Sequence, residues 1–100
     1  MKIRIASASE LPAEGRAAEF ICEGKSVCVA RVEGALTAMN NVCPHRGGPL
    51  SDGVILDGKL VCPWHGWQFD PKTGRSVQVP KTGVELYEIT VEGDEVFLEK

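Results

Sequence analysis

Two short segments carry side chains suited to binding a soft metal: Cys43-Pro44-His45-Arg46-Gly47 and Cys62-Pro63-Trp64-His65-Gly66. Each offers one thiolate and one imidazole, in the pattern C-x-H, sixteen residues, C-x-x-H. Such donors select zinc or iron–sulfur chemistry over calcium or magnesium. Pro and Gly bracket each pair, which favours tight turns and lets backbone N–H groups come close to whatever is bound. A buried inorganic sulfide needs that approach, because only nearby donors offset its charge. A structural zinc site of the Cys2His2 kind usually sets both cysteines in one half-site and both histidines, on a helix, in the other. Here each half-site is mixed, and no helical pattern follows either. Mixed half-sites suit two metals, each loop giving its Cys to one and its His to the other.

Strands must hold these loops, since helical periodicity is weak throughout. Residues 2–6 alternate like an edge strand, residues 11–16 read as a loop, and residues 17–22, 26–32 and 35–39 follow as strands. Tips at Glu23-Gly24-Lys25 and Glu33-Gly34 join the last three into an antiparallel meander. Residues 40–80 differ in texture, holding five of the six prolines, both histidines and both tryptophans. Brief strands are expected there at 53–56, 59–61, 67–69 and 76–79. The chain then becomes regular again, with strands at 85–91 and 95–99 around the turn Glu92-Gly93-Asp94. The expected architecture is all-β: an antiparallel sandwich-like base built from both termini, with a small subdomain of about residues 40–80 inserted.

At 100 residues the chain is expected to be a single domain. Its 43% apolar and 25% charged residues are those of a globular protein rather than a disordered one. The net charge of −3 argues against a binder of nucleic acid or anionic membrane. The excess is acidic and C-terminal, in Glu85, Glu88, Glu92, Asp94, Glu95 and Glu99, most simply a solubilising face or guarded sheet edge. No apolar run approaches the roughly 20 residues that span a bilayer, and the N-terminus is too charged for a signal peptide. A reducing cytoplasm is the expected compartment, where thiols are more often metal ligands or buried apolar groups than disulfides. Cys22 and Cys28 lie within β-rich runs and are read as small buried hydrophobes.

At residues 40–80 the sequence resembles the Rieske family. The resemblance is carried by Cys43-Pro44-His45-Arg46-Gly47-Gly48-Pro49-Leu50, by Cys62-Pro63-Trp64-His65-Gly66-Trp67-Gln68-Phe69-Asp70, and by Thr73-Gly74-Arg75. It implies one [2Fe–2S] cluster, with Cys43 and Cys62 on the inner iron and His45 and His65 on the outer one. It also places Pro80 in a third loop that covers the cluster. Rieske proteins of cytochrome bc complexes carry two further cysteines, joined as a disulfide, where this chain has Gly48 and Trp64. They carry hydroxyl side chains where it has Trp67 and Phe69. Hydrogen bonds to cluster sulfur favour the more negative reduced state, so their absence implies a potential toward the low end of the roughly −150 to +300 mV Rieske range.

Two neutral imidazoles in place of thiolates leave a formal cluster charge of about 0 oxidised and −1 reduced. With every iron position filled by protein, the resemblance implies electron carriage, not catalysis. The expected function is that of a monomeric Rieske ferredoxin. It would take one electron from an NAD(P)H-dependent flavoprotein reductase and pass it to a terminal oxygenase of the aromatic-ring hydroxylating dioxygenase type. Trp64 and Trp67 would shield the cluster, while Arg46, Lys72, Arg75 and Lys81 would guide an acidic partner or form a solvated rim. Two other readings are the small Rieske subunit of an assimilatory nitrite reductase and a cluster-based redox sensor.

Overall fold

The computed structural model describes residues 2–44, 47–64, 66–79 and 81–99. The strands are β1 (Lys2–Ser7), β2 (Arg16–Cys22), β3 (Lys25–Val32), β4 (Ala35–Asn40), β5 (Val54–Leu56), β6 (Lys59–Val61), β7 (Gln68–Phe69), β8 (Leu86–Glu92) and β9 (Glu95–Glu99). Three two-residue hairpin turns join β2 to β3, β3 to β4 and β5 to β6. Glu23-Gly24, Glu33-Gly34 and Asp57-Gly58 all take positive φ at both positions, between 51° and 81°. That backbone twist matches the right-handed twist of the flanking strands, so Cys22 faces Lys25, Val32 faces Ala35 and Leu56 faces Lys59 without slack.

Six strands form one antiparallel sheet in the order β1-β9-β8-β4-β3-β2. Strands β4 and β8 join through only two residue pairs, Ala38 with Tyr87 and Met39 with Leu86. The sheet curls so far that β1 and β2, at opposite ends of the order, approach each other. The expected two-sided base is therefore one curled antiparallel sheet. A smaller sheet, β5-β6-β7, stands beside it and belongs to the inserted segment.

Side-chain alternation along β3 and β4 divides the interior in two. Val27 and Val29 of β3 and Ala38 of β4 point into the curl, where Cys22 and Leu98 join them and Ile3, Phe20 and Ile89 pack around. Cys28 and Met39, one residue out of phase, point the other way. They meet Leu50, Leu60 and Phe69 of the inserted segment, and the same buried group contains Cys43 and Cys62. Each large buried side chain here, Leu or Phe, contributes about 1.5–3 kcal/mol by leaving water. The core that docks the insertion onto the base is thus the floor beneath the two cysteines.

One expected strand does not form. Residues 76–79 are a loop tied to β7 by an isolated bridge from Ser76 to Phe69. The backbone turns back on itself at once, with Thr82 N–H donating to the Val79 carbonyl at 2.8 Å. The apolar–polar alternation there reflects side chains that hold a loop, not a sheet face. Among the described residues, no helix is long and apolar enough to cross a membrane.

Candidate metal centre

The two cysteine loops are built alike. In the first, Cys43 N–H donates to the Gly48 carbonyl at 2.9 Å; in the second, Cys62 N–H donates to the Trp67 carbonyl at 2.7 Å. Each bond spans five residues from its cysteine and closes the loop at its base. Four residues after each cysteine stands a glycine in the left-handed region, Gly47 at φ 78° and Gly66 at φ 74°. A side chain at either position would strain the backbone, so glycine is what permits the loop to reverse. The first loop is then anchored downstream, where Val42 bridges to Pro49 and Leu50 N–H donates to the Asn41 carbonyl. Asn41 itself is buried, its amide bonded to the Ser26 and Ser51 hydroxyls at 3.0 Å each. This network lashes the root of the first loop to β3 and to the 3-10 turn at Leu50–Asp52.

Cys43 and Cys62, nineteen residues apart in sequence, come together: each is only 1% exposed, and their thiols are within reach of one another. Burial pushes the Cys62 thiol up, the Trp64 backbone N–H aimed at its sulfur pulls it down, and Cys43 alongside pushes it up again. An N–H directed at sulfur is the donor a metal-bound thiolate or cluster sulfide requires. Neither cysteine is in a disulfide. Two adjacent buried thiols on separate loops, floored by apolar side chains and met by a backbone donor, fit one end of a two-iron cluster. His45, Arg46 and His65 lie outside the described residues. Among the described residues, no three His, Cys, Asp or Glu side chains gather as a metal site.

A third segment lies against β7, whose Phe69 shares the floor with the two cysteines. Buried Ser76 accepts the Val79 N–H on its hydroxyl oxygen at 3.2 Å, and Gln78 extends its carbonyl oxygen to the Gln68 N–H at 3.0 Å. Val77 N–H donates back to the Gln68 carbonyl at 2.8 Å. Pro80 lies outside the described residues, but the loop leading to it is held firmly against β7. Sequence reading overlooked Ser76 and Gln78 because Ser-Val-Gln-Val alternates as a strand would. The cue was downstream in the sequence, where Pro80-Lys81-Thr82-Gly83 carries a turn signal directly behind the run.

The remaining sequence assignments resolve simply. Cys22 and Cys28 are both buried, Cys22 inside the curl and Cys28 in the floor below Cys43 and Cys62. Burial pushes the Cys28 thiol up to about 12, so it stays a neutral packing group. Trp67 packs against the floor and Phe69 is fully buried in it. Trp64 is 48% exposed. Lys72, Arg75 and Lys81 are exposed on the same inserted segment and its exit.

A family model described as the Rieske [2Fe-2S] domain matches residues 1–91. The chain belongs to the Rieske family. Over 91 residues it is 34% identical to the ferredoxin component of a naphthalene 1,2-dioxygenase system from Pseudomonas aeruginosa, covering 90% of this chain and 86% of that one. The ferredoxin of carbazole 1,9a-dioxygenase from Nocardioides aromaticivorans superimposes with a TM-score of 0.84 at 29% identity, over 98% of this chain and 96% of its own. A Mycobacterium tuberculosis chain described as an NADH-dependent nitrite reductase small subunit shares the Rieske fold, with a TM-score of 0.87 at 20% identity over 100% of this chain and 95% of that one. At that identity the likeness speaks to the fold alone.

Proposed function

We propose that this Rieske protein is the ferredoxin component of an oxygenase system, carrying one electron from an NAD(P)H-dependent flavoprotein reductase to a terminal oxygenase of the ring-hydroxylating dioxygenase type. The observation that supports it most is likeness to dioxygenase ferredoxins along nearly the whole of both chains, in sequence and in fold. In this reading Cys43 and Cys62 hold the inner iron of one [2Fe–2S] cluster, and His45 and His65 hold the outer iron. When bound, the cluster supplies a one-electron couple. The protein supplies the rest. Leu50, Leu60 and Phe69 exclude water from beneath the thiolates, the Trp64 N–H offsets charge on the Cys62 sulfur, and the Ser76–Gln78 loop closes the flank. The chain acts as one Rieske domain, with residues 40–80 as its cluster-binding part, and carries electrons without catalysing a substrate reaction itself.

Electron delivery to an oxygenase tests the reading. Reduced protein mixed anaerobically with an oxidised terminal oxygenase should lose its reduced spectrum within the turnover time of the system. A protein that purifies tightly bound to a sirohaem enzyme would instead make it a nitrite reductase subunit. Iron and sulfide content tests the ligand assignment. Replacing Cys43, His45, Cys62 or His65 should abolish the cluster, while Cys22→Ser should retain it.

A further inference from the structure

Gly48 and Trp64 stand on different cysteine loops, yet the indole lies directly on the glycine. A Cβ added at Gly48 would sit 2.8 Å from the Trp64 Cγ and 2.9 Å from its Cδ2, closer than real Cβ contacts allow. Gly48 is outside the left-handed region, so its lack of a side chain answers to space and not to backbone strain. Its carbonyl closes the first loop by accepting the Cys43 N–H, while the Trp64 N–H points at the Cys62 sulfur. One residue therefore touches the base of the first loop with its side chain and the ligand of the second with its backbone. Trp64 is about half exposed, and its ring atoms Cγ and Cδ2 cover Gly48.

We propose that Trp64 is a positioning residue whose indole, seated on Gly48, bridges the two cysteine loops and governs how tightly the cluster is retained and how much water reaches it. The proposal rests on the cluster reading above. The short, glycine-bearing loops are closed by backbone bonds at their bases, so a contact between them farther out restrains their separation. Removing the indole leaves a gap that water fills, and water beside the cluster favours the more negative reduced state, raising the potential.

The test is a double-mutant cycle on the loaded protein, using Trp64→Ala, Gly48→Ala and the pair, with Trp64→Phe as the conservative variant. Two quantities are read: the rate at which visible absorbance decays in excess iron chelator, and the midpoint potential. Trp64→Ala should lose its cluster on the order of tenfold faster than wild type and shift its potential upward. Gly48→Ala, which retains the tryptophan but displaces it, should move both readouts the same way. The double variant should be no worse than Trp64→Ala, since the ring that Gly48→Ala displaces is already gone, and Trp64→Phe should recover part of the loss. Wild-type decay and potential in Trp64→Ala, or effects that simply add in the double variant, would overturn the proposal. A wild-type protein lacking the iron–sulfur spectrum would remove the cluster reading and the bridge together, whereas normal wild type with unaltered variants would remove the bridge alone.

Discussion

Ser76 and Thr37 show how much a single hydroxyl decides. Ser76 is 2% exposed and its oxygen takes the Val79 N–H. In Ser76→Ala that N–H loses its hydroxyl partner, which costs about 0.5–1.5 kcal/mol. Urea unfolding should show the loss, and an unchanged midpoint would mean that water replaces the hydroxyl. Thr37 is the reverse case, since its Oγ1 is buried with no hydrogen-bond partner among the described residues. Valine has the same shape without the hydroxyl, so Thr37→Val should stabilise the fold by about 1 kcal/mol. Neither role was legible in the sequence, because a serine or threonine on a strand pattern looks the same whether its oxygen is bonded or orphaned. The meeting of Cys43 and Cys62 is legible, since the spacing of the two like segments itself encodes two loops that come together. What spacing did not reveal is the Gly48–Trp64 contact, which needs the loops in three dimensions.

At the level of elements, the hairpins read out cleanly because Glu-Gly and Asp-Gly tips demand the backbone twist that antiparallel strands need. Residues 76–79 alternate like a strand yet form a loop for a related reason: alternation alone does not specify a pairing partner along the run. The β5–β6 hairpin depends on a close approach that periodicity also hides. A Cβ at Gly53 would sit 1.8 Å from the Val61 carbonyl oxygen, so Gly53→Ala must push β5 off β6. A loss of about 3 kcal/mol is expected, with lowered soluble yield. Strand β8 offers a pH test. Burial, then the Glu85 carboxylate accepting its hydroxyl, pushes the Tyr87 phenol above its ordinary value of 10.0. A raised folded value means the unfolded chain ionises first. The contribution is therefore whole below pH 10 and is lost as pH climbs through the folded value. Unfolding free energy should fall more steeply above pH 10 in wild type than in Tyr87→Phe; parallel slopes would show that Tyr87 is not the group responsible.

Across the whole molecule, the strand alternation of β3 and β4 makes one sheet serve two cores. Val27, Val29 and Ala38 hold the curl together, while Cys28 and Met39 form the floor on which the cluster loops rest. Function and stability are coupled through that shared sheet, so the cysteine pair is placed by the same side chains that fold the chain. The acidic C-terminal strands lie in the base, where Lys2 pairs with Glu92 and Arg4 with Glu95 at 3.0 Å across β1, β8 and β9. Such exposed pairs add little stability, and the acidic surplus of these strands lies at the surface. The central claim is that Cys43, His45, Cys62 and His65 hold one two-iron cluster with two thiolate and two imidazole ligands. Electron paramagnetic resonance of the dithionite-reduced protein tests it most directly. The account predicts a signal whose average g value lies below that of the free electron, from a centre with a low potential that is insensitive to pH near neutrality. A colourless protein containing zinc after anaerobic purification, or the signal of an all-thiolate cluster, would contradict it.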